Sequence, residues 1–516
     1  MSFTAKILEY ACSDSLRLGL CFFLSALIYV LAQRLDRALA LKGAMREAEP
    51  PERGAPRLAG DLIACLAGLA ASALFLLLSA RPVMSLLLAA ALITLLLVLN
   101  RAKEQVLREP LVLADAWLLR QIFRYPEMYF PFLPMKAIAL GLLGLAACLA
   151  LLVLAESPVP ALRSACGISL LLLLFAAPIL ALILMRHGRL QSLARFLLRR
   201  CPVSHEAARD ARDNGALAAA LLHPVWAGLS EKEHTKDILD FRVRPAASKW
   251  PPAFERTLLQ IPQLPLERRP HCILVQAESF CDIREQLPEA QASALKHFLP
   301  NWDALKARGQ SLPTPKDAFG AYTMRTEFSM LTGLGQKDLG PFAFNPYLLA
   351  GKRPLWSLAR HLADAGYETL CVHPYHKNFF RRDRVMKNLG FERFLDIADL
   401  SALERFGPYT SDLALGRHIR RELSRAAGPV FVFVISMEAH GPWPDERLTD
   451  EEIAQCLPDL DRRPFSRQTL IYLCHLRHMD MLFGLLQEPC ADKGGRERES
   501  LLWPYGDHAP GLAIFS

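Results

Sequence analysis

The 516-residue sequence has no CxxC pair, and its 12 cysteines fall into five in or near long apolar stretches and seven scattered after them. Such a set excludes a zinc knuckle and a disulfide framework. No short repeat is present, and hydrophobic residues make up 52% of the chain against 22% charged. Disordered, collagen-like and coiled-coil classes are therefore excluded. Nucleic-acid-binding signatures are also missing. The net charge of +8 lies largely in loops beside the apolar stretches, which favours anionic lipid head groups as partners over nucleic acid.

The most informative lack is of charge itself. Leu18–Gln33, Leu62–Ala80, Pro82–Asn100, Ala137–Ala155 and Ser164–Met185 contain no Asp, Glu, Lys or Arg. A membrane-spanning helix needs about 20 apolar residues. Four runs meet that, and the first reaches it if Arg17 and Arg34 snorkel to the interface. Five such runs exclude a fully soluble protein. The first run has no clear small-residue cleavage site and reads as an uncleaved anchor. Residues 1–185 are thus expected to form a five-span helical domain.

Lys and Arg cluster in 34–61 (Arg34, Arg37, Lys42, Arg46, Arg53, Arg57), in 101–136 and in 186–200. By the positive-inside rule these segments, and everything after Met185, face the cytoplasm. Residues 186–262 read as a juxtamembrane linker. It opens with the basic amphipathic stretch Arg186–Arg200, suited to a membrane surface, and Pro251, Pro252, Pro262 and Pro265 mark the entry to a compact domain.

From 263 onward apolar runs alternate with helical patterns. His271–Gln276, Thr369–Val372, Val430–Ile435 and Ser500–Trp503 read as strands, and Leu355–Ala365, Asp412–Ala426 and Gln468–Gln487 as helices. Fully apolar strands alternating with helices predict an α/β domain whose mostly parallel sheet is covered on both faces. Ligands in such sheets bind beyond the carboxyl ends of the strands. There the sequence places Glu278-Ser279, then His373-Pro-Tyr-His376-Lys377-Asn378, then Ser436-Met-Glu438-Ala-His440, then Gly506-Asp507-His508. One polar strand end is ordinarily a cap or turn; four at one edge point to a site.

Glu278, Asp507 and His508 offer oxygen and nitrogen donors suited to Mn²⁺, Zn²⁺ or Mg²⁺. A hydroxyl nucleophile would complete the site, because a metal lowers its pKa. Gly320-Ala-Tyr-Thr323-Met-Arg-Thr326-Glu327-Phe328 supplies two candidates, Thr323 and Thr326, which spacing alone does not separate. A helix N-terminus at this point would help hold a phosphoryl group, and a plain capping role suits either threonine equally well.

Taken in series, Glu-Ser-Phe, Thr-x-x-x-Glu-Phe, Phe-Phe-Arg-Arg-Asp with Asn-Leu-Gly-Phe, Ser-Met-Glu-Ala-His-Gly-Pro-Trp and Tyr-Gly-Asp-His resemble the lipoteichoic acid synthase family. That family includes phosphoglycerol transferases and lies in the alkaline phosphatase and sulfatase superfamily. The likeness covers most of 271–510. It implies a sulfatase-like domain over 263–516, with Thr323 as nucleophile and Glu278, Thr323, Asp507 and His508 as ligands of a metal, typically Mn²⁺. Arg382 and His440 match residues that bind the substrate's phosphate and glycerol, and Phe380 stands where family members often have Trp. The implied reaction moves glycerol phosphate from phosphatidylglycerol to a glycan or polyol-phosphate acceptor through a phospho-threonine. The implied location is the bacterial cytoplasmic membrane with the catalytic domain outside, against the Lys/Arg count. Only eight residues follow His508, fewer than the family domain usually has, so a C-terminally truncated domain is expected. The Cys/Ser-x-Pro-x-Arg motif of sulfatases does not surround Thr323, which argues against sulfate ester hydrolysis. A phosphoethanolamine transferase and an inactive membrane scaffold or sensor are the rival readings.

Overall fold

The computed structural model describes residues 3–44, 56–107, 109–116, 121, 123–128, 135–235, 244, 250–312 and 323–512. They form two units that divide between His234 and Thr235.

The first unit contains five helices long and apolar enough to cross a membrane: α1 (Phe3–Ala44), α2 (Pro56–Ser79), α3 (Pro82–Leu107), α4 (Met135–Ala155) and α5 (Ala165–Arg186). The protein is a multi-pass membrane protein. Small residues set the contact between α1 and α2: a Cβ on Gly68 would sit 2.7 Å from the carbonyl oxygen of Ser25, and Ala64, Ala71 and Ser72 are buried nearby in sequence. Close backbone approach of this kind is how helices gain packing energy in lipid. Two polar contacts join helix ends. Arg34 bonds Asp61 at 2.7 and 2.9 Å, and Glu156 accepts the backbone N–H groups of Val83 and Met84 at 2.7 and 2.9 Å. The second pairing places a carboxylate on the exposed donors that open α3. Residues 191–235, read from sequence as linker, form α6 (Gln191–Arg200), α7 (Ala207–Asn214) and α8 (Ala216–Thr235), all but the last residue of which belongs to this unit.

The second unit is built on a five-stranded sheet: β1 (His271–Ala277), β2 (Glu368–Val372), β3 (Arg393–Leu395), β4 (Val430–Ile435) and β5 (Ser500–Gly506). All pairings are parallel and the order is β3-β2-β4-β1-β5. Every residue of β1 and β4 is buried, as their apolar sequences require. Alternation assigns the two faces. Ile273, Val275, Val432 and Val434 join one core with Leu415, Ile419, Leu476, Met479 and Phe483. Those last five belong to the covering helices α12 (Asp412–Arg425) and α13 (Arg467–Gln487), the others used below being α9 (Thr323–Thr332), α10 (Leu358–Asp364) and α11 (Arg382–Asn388). On the other face Phe391 stacks on Phe431 and Phe433 with centroids 5.7 and 6.1 Å away. Each such buried side chain contributes about 1.5–3 kcal/mol.

The register positions the site. Ala277 pairs with Gly506 and Gln276 with Ile435. Glu278, Ser436 and Asp507 therefore leave the sheet side by side at its carboxyl edge.

Candidate active site

At the end of β1 the backbone turns sharply, with Ser279 at φ 53°, a left-handed conformation costly for a side chain other than glycine. The turn is held by three bonds. Ser279 N–H donates to Asp507 Oδ1 at 2.8 Å, its hydroxyl donates to Glu278 Oε1 at 2.9 Å, and its carbonyl accepts the Tyr472 hydroxyl at 2.8 Å. The result is a buried group in which one ligand atom each from Glu278, Asp507 and His508 lies within 4.8 Å of the others. His508 Nε2 is 3.6 Å from Glu278 Oε1 and 3.3 Å from Asp507 Oδ2. Asp507 Oδ1 also accepts the His508 N–H at 2.9 Å, whereas among the described residues Oδ2 takes no well-directed hydrogen bond.

The electrostatics follow from crowding two acids in a buried place. Burial, and then the charge of Glu278, push the Asp507 carboxyl up to about 7, while His508, the Ser279 N–H and the Thr323 hydroxyl pull it back. Burial likewise raises Glu278, against the opposing pull of His508, the Ser279 hydroxyl and the Arg382 charge. Burial acts to lower His508, but the two carboxyls raise it. Two acids, one imidazole and an unsatisfied carboxylate oxygen fit a divalent cation, which would replace proton sharing with coordination.

Thr323 is the first residue of α9 and is half-buried, with its hydroxyl against the Asp507 carboxyl. Thr326 is buried, and its hydroxyl donates to the Asp507 carbonyl at 3.0 Å. The two threonines that spacing left equivalent thus differ in the structure: one faces the acid group, and the other is spent on the backbone. Residues 313–322, which lead into Thr323, lie outside the described residues.

Arg382 opens α11 and is 2% exposed. Its Nε donates to Glu327 Oε2 at 3.1 Å and its Nη2 to Glu327 Oε1. Nη1 contacts His373 Nε2 at 3.3 Å. Guanidinium nitrogens only donate, so His373 Nε2 is the acceptor and the proton sits on Nδ1, which donates to the Ile435 carbonyl at 3.2 Å. Burial and the Arg382 charge hold His373 well below the usual imidazole range, which keeps it neutral. Glu327 also accepts Tyr347 Oη–H, and Gln276 Nε2 at 3.2 Å. Gln276 in turn accepts Tyr505 Oη–H at 2.7 Å. Arg382 is thus built into the wall behind the acid group, all three of its guanidinium nitrogens engaged. Phe380, at φ 54°, has its ring centroid 4.1 Å from that of Phe379 and 5.2 Å from the Arg382 guanidinium carbon.

His440 follows β4 in a turn closed by its N–H on the Met437 carbonyl at 3.1 Å. Nδ1 lies 2.7 Å from the Gly441 carbonyl and 3.4 Å from the Tyr409 hydroxyl. Burial, with the nearby His508 charge, pushes this imidazole down to about 4, against Asp507. Glu438, at the same strand end, bonds not to the acid group but to His475 and His478. The bonded roles of Gln276, Tyr347, His373 and Tyr472 went unread in the sequence. Gln276, a polar residue in an apolar strand, and His373, directly after a strand, carried a signal, whereas Tyr347 and Tyr472 carried none.

A family model described as Sulfatase matches residues 270–514. The second unit is a sulfatase-like domain. The match covers just under half of the chain. Two curated relatives come from Rhizobium meliloti (strain 1021). A putative cyclic beta-1,2-glucan modification protein is 27% identical over 246 residues, which are 47% of this chain and 36% of that protein. The capsular polysaccharide biosynthesis protein RkpI is 32% identical over 257 residues, 48% of this chain and 43% of that protein. The chain spans less than half the length of either. Among solved structures, the Streptococcus pyogenes phosphoglycerol transferase GacH in complex with sn-glycerol-1-phosphate is similar at 20% identity over 52% of this chain and 71% of that chain, with a TM-score of 0.35.

Proposed function

We propose that the protein is a membrane-bound phosphoglycerol transferase that moves glycerol phosphate from phosphatidylglycerol to a glycan or glycerol-phosphate acceptor. The observation that carries this reading is the Thr323 hydroxyl facing the buried Glu278, Asp507 and His508 group at the carboxyl edge of the sheet. The two Rhizobium relatives, named for a cyclic glucan and a capsular polysaccharide, favour a glycan acceptor.

In this mechanism Thr323 Oγ attacks phosphorus and the bond from phosphorus to the diacylglycerol oxygen breaks. Diacylglycerol leaves as the alcohol with a proton, and glycerol phosphate stays on Thr323. An acceptor hydroxyl then attacks phosphorus, and Thr323 Oγ leaves and regains a proton. A divalent cation, Mn²⁺ by the family likeness, would be held by Glu278, Thr323, Asp507 and His508; it would lower the hydroxyl's pKa and offset phosphoryl charge. Arg382, fixed by Glu327, lends positive charge at the site and favours the ionised form of Glu278. His440, kept neutral, and Phe380 would contact the glycerol phosphate.

The test is mass spectrometry of the full-length protein in detergent with Mn²⁺ after exposure to phosphatidylglycerol. A glycerophosphate adduct on Thr323, lost in a folded Thr323→Ala variant that also releases no diacylglycerol, is the expected result. An adduct on Thr326, or one formed from phosphatidylethanolamine but not phosphatidylglycerol, would overturn it.

A further inference from the structure

A second cluster of buried titratable groups lies at the same sheet edge. Its hub is Glu438, two residues before His440 and fully buried. Oε1 accepts His475 Nδ1–H at 2.9 Å and His478 Nδ1–H at 3.0 Å, both from one face of α13. Oε2 accepts the N–H of Asp412, the first residue of α12, at 2.6 Å. A carboxylate on a helix amino end is favoured by the donors exposed there. Burial alone would push the Glu438 carboxyl up, but the bonds from His475 and His478 hold it below its ordinary value.

The main chain of the same loop is fixed from the other side. Arg447 donates to the carbonyls of Glu438 and His440, each at 2.6 Å, and of Pro442 at 2.8 Å. Glu438 therefore ties the His440 turn to α12 and α13, while Arg447 ties alternate carbonyls of the turn together. Nothing in core packing calls for a carboxylate here, since an apolar residue would leave no acid to neutralise. The hub makes sense if the turn must be held in one place.

We propose that Glu438, anchored by His475 and His478, is the positioning residue that fixes the turn carrying the His440 imidazole at the carboxyl edge of the sheet. The idea rests on the functional reading above for what His440 does, but not for where it is held. Glu438 touches no reacting atom; it acts through the two residues between it and His440.

The test uses the full-length protein in detergent and the variant Glu438→Gln, which keeps shape and loses charge. The first measurement needs no substrate: the rate of carbethoxylation of each histidine by diethyl pyrocarbonate, read by mass spectrometry. His440 should react several-fold faster in Glu438→Gln, while the exposed His297 keeps its rate. An unchanged His440 rate in the folded variant overturns the proposal. A rise shared by buried His271 also overturns it, because that marks general loosening. The second measurement is phosphatidylglycerol turnover. Glu438→Gln should raise KM about tenfold with kcat nearly unchanged, and should add nothing to His440→Ala in the double variant. Full additivity overturns the positioning role. A wild-type protein with no turnover at all sinks the transferase reading instead, and the carbethoxylation rates then decide the positioning role by themselves.

Discussion

The buried pair of Glu327 and Arg382 allows a quantitative test of how the site is held. Glu327 is fully buried and Arg382 is 2% exposed. The Glu327 carboxylate accepts from Gln276, from Tyr347 and twice from Arg382, which fills its acceptor positions. Glu327→Gln removes the charge and turns an acceptor oxygen into an amide donor that faces other donors. Arg382 is then left in a low-dielectric interior with only neutral partners. Breaking one side of a buried ion pair costs about 3–5 kcal/mol. For a domain of this size each kcal/mol shifts the midpoint by about 2–4 °C, so the transition should fall by roughly 6–20 °C. The assay is thermal unfolding of the full-length protein in detergent, followed through the fluorescence of buried tryptophans such as Trp302 and Trp503. The double variant Glu327→Leu, Arg382→Leu should recover most of the loss, since apolar replacement of a whole buried pair is often neutral. Tyr347→Phe, which removes one donor, should cost about 1 kcal/mol. A Glu327→Gln protein melting within about 2 °C of wild type would refute the claim that this pair holds the wall of the site.

Activity should require a divalent metal, with Mn²⁺ preferred. Asp507→Ala and His508→Ala should each lower both bound metal, measured by elemental analysis, and rate; full activity after exhaustive chelation would sink this. His271 should confer a pH dependence on stability. It is fully buried with Nδ1 accepting the Val430 N–H at 3.2 Å, and burial, then the charge of Arg498, push it from 6.5 down to about 4. Its folded pKa lies below the unfolded one, so its contribution is complete above pH about 6.5 and is lost as the pH falls toward 4, by at most roughly 3 kcal/mol. His271→Asn, which keeps an acceptor, should flatten the unfolding free energy over that window, and an unchanged slope would count against the burial argument. The catalytic domain should lie outside the cytoplasmic membrane, so fusions after Pro265 should activate a periplasmic reporter and not a cytoplasmic one; the reverse would remove the outer-leaflet donor.

The sequence by itself determined the five membrane helices, because lipid tolerates no unpaired charge and the charge-free runs mark where the chain can cross. It also determined the parallel sheet. Strands buried on both faces must be apolar throughout, and His271–Gln276 and Val430–Ile435 showed it. Polar residues directly after those strands could only emerge at one edge, which made Glu278, Asp507 and His508 legible as a group. What the tertiary structure alone decided is which partner each polar side chain faces. Pairing of Ala277 with Gly506 is a matter of register between distant segments, and it brings Glu278 beside Asp507. Thr323 and Thr326 are alike in spacing, and only the fold turns one to the Asp507 carboxyl and the other to its carbonyl. Arg382, a phosphate-binding residue by the family likeness, is bonded in the fold to Glu327 and His373. Glu438 reads as one more ligand at the sheet edge and is drawn to α13 instead. Local pattern specifies burial and secondary structure, while hydrogen bonds between side chains far apart in sequence have no local signature. They depend on distances of a few tenths of an ångström that exist only once the sheet and its covering helices are packed.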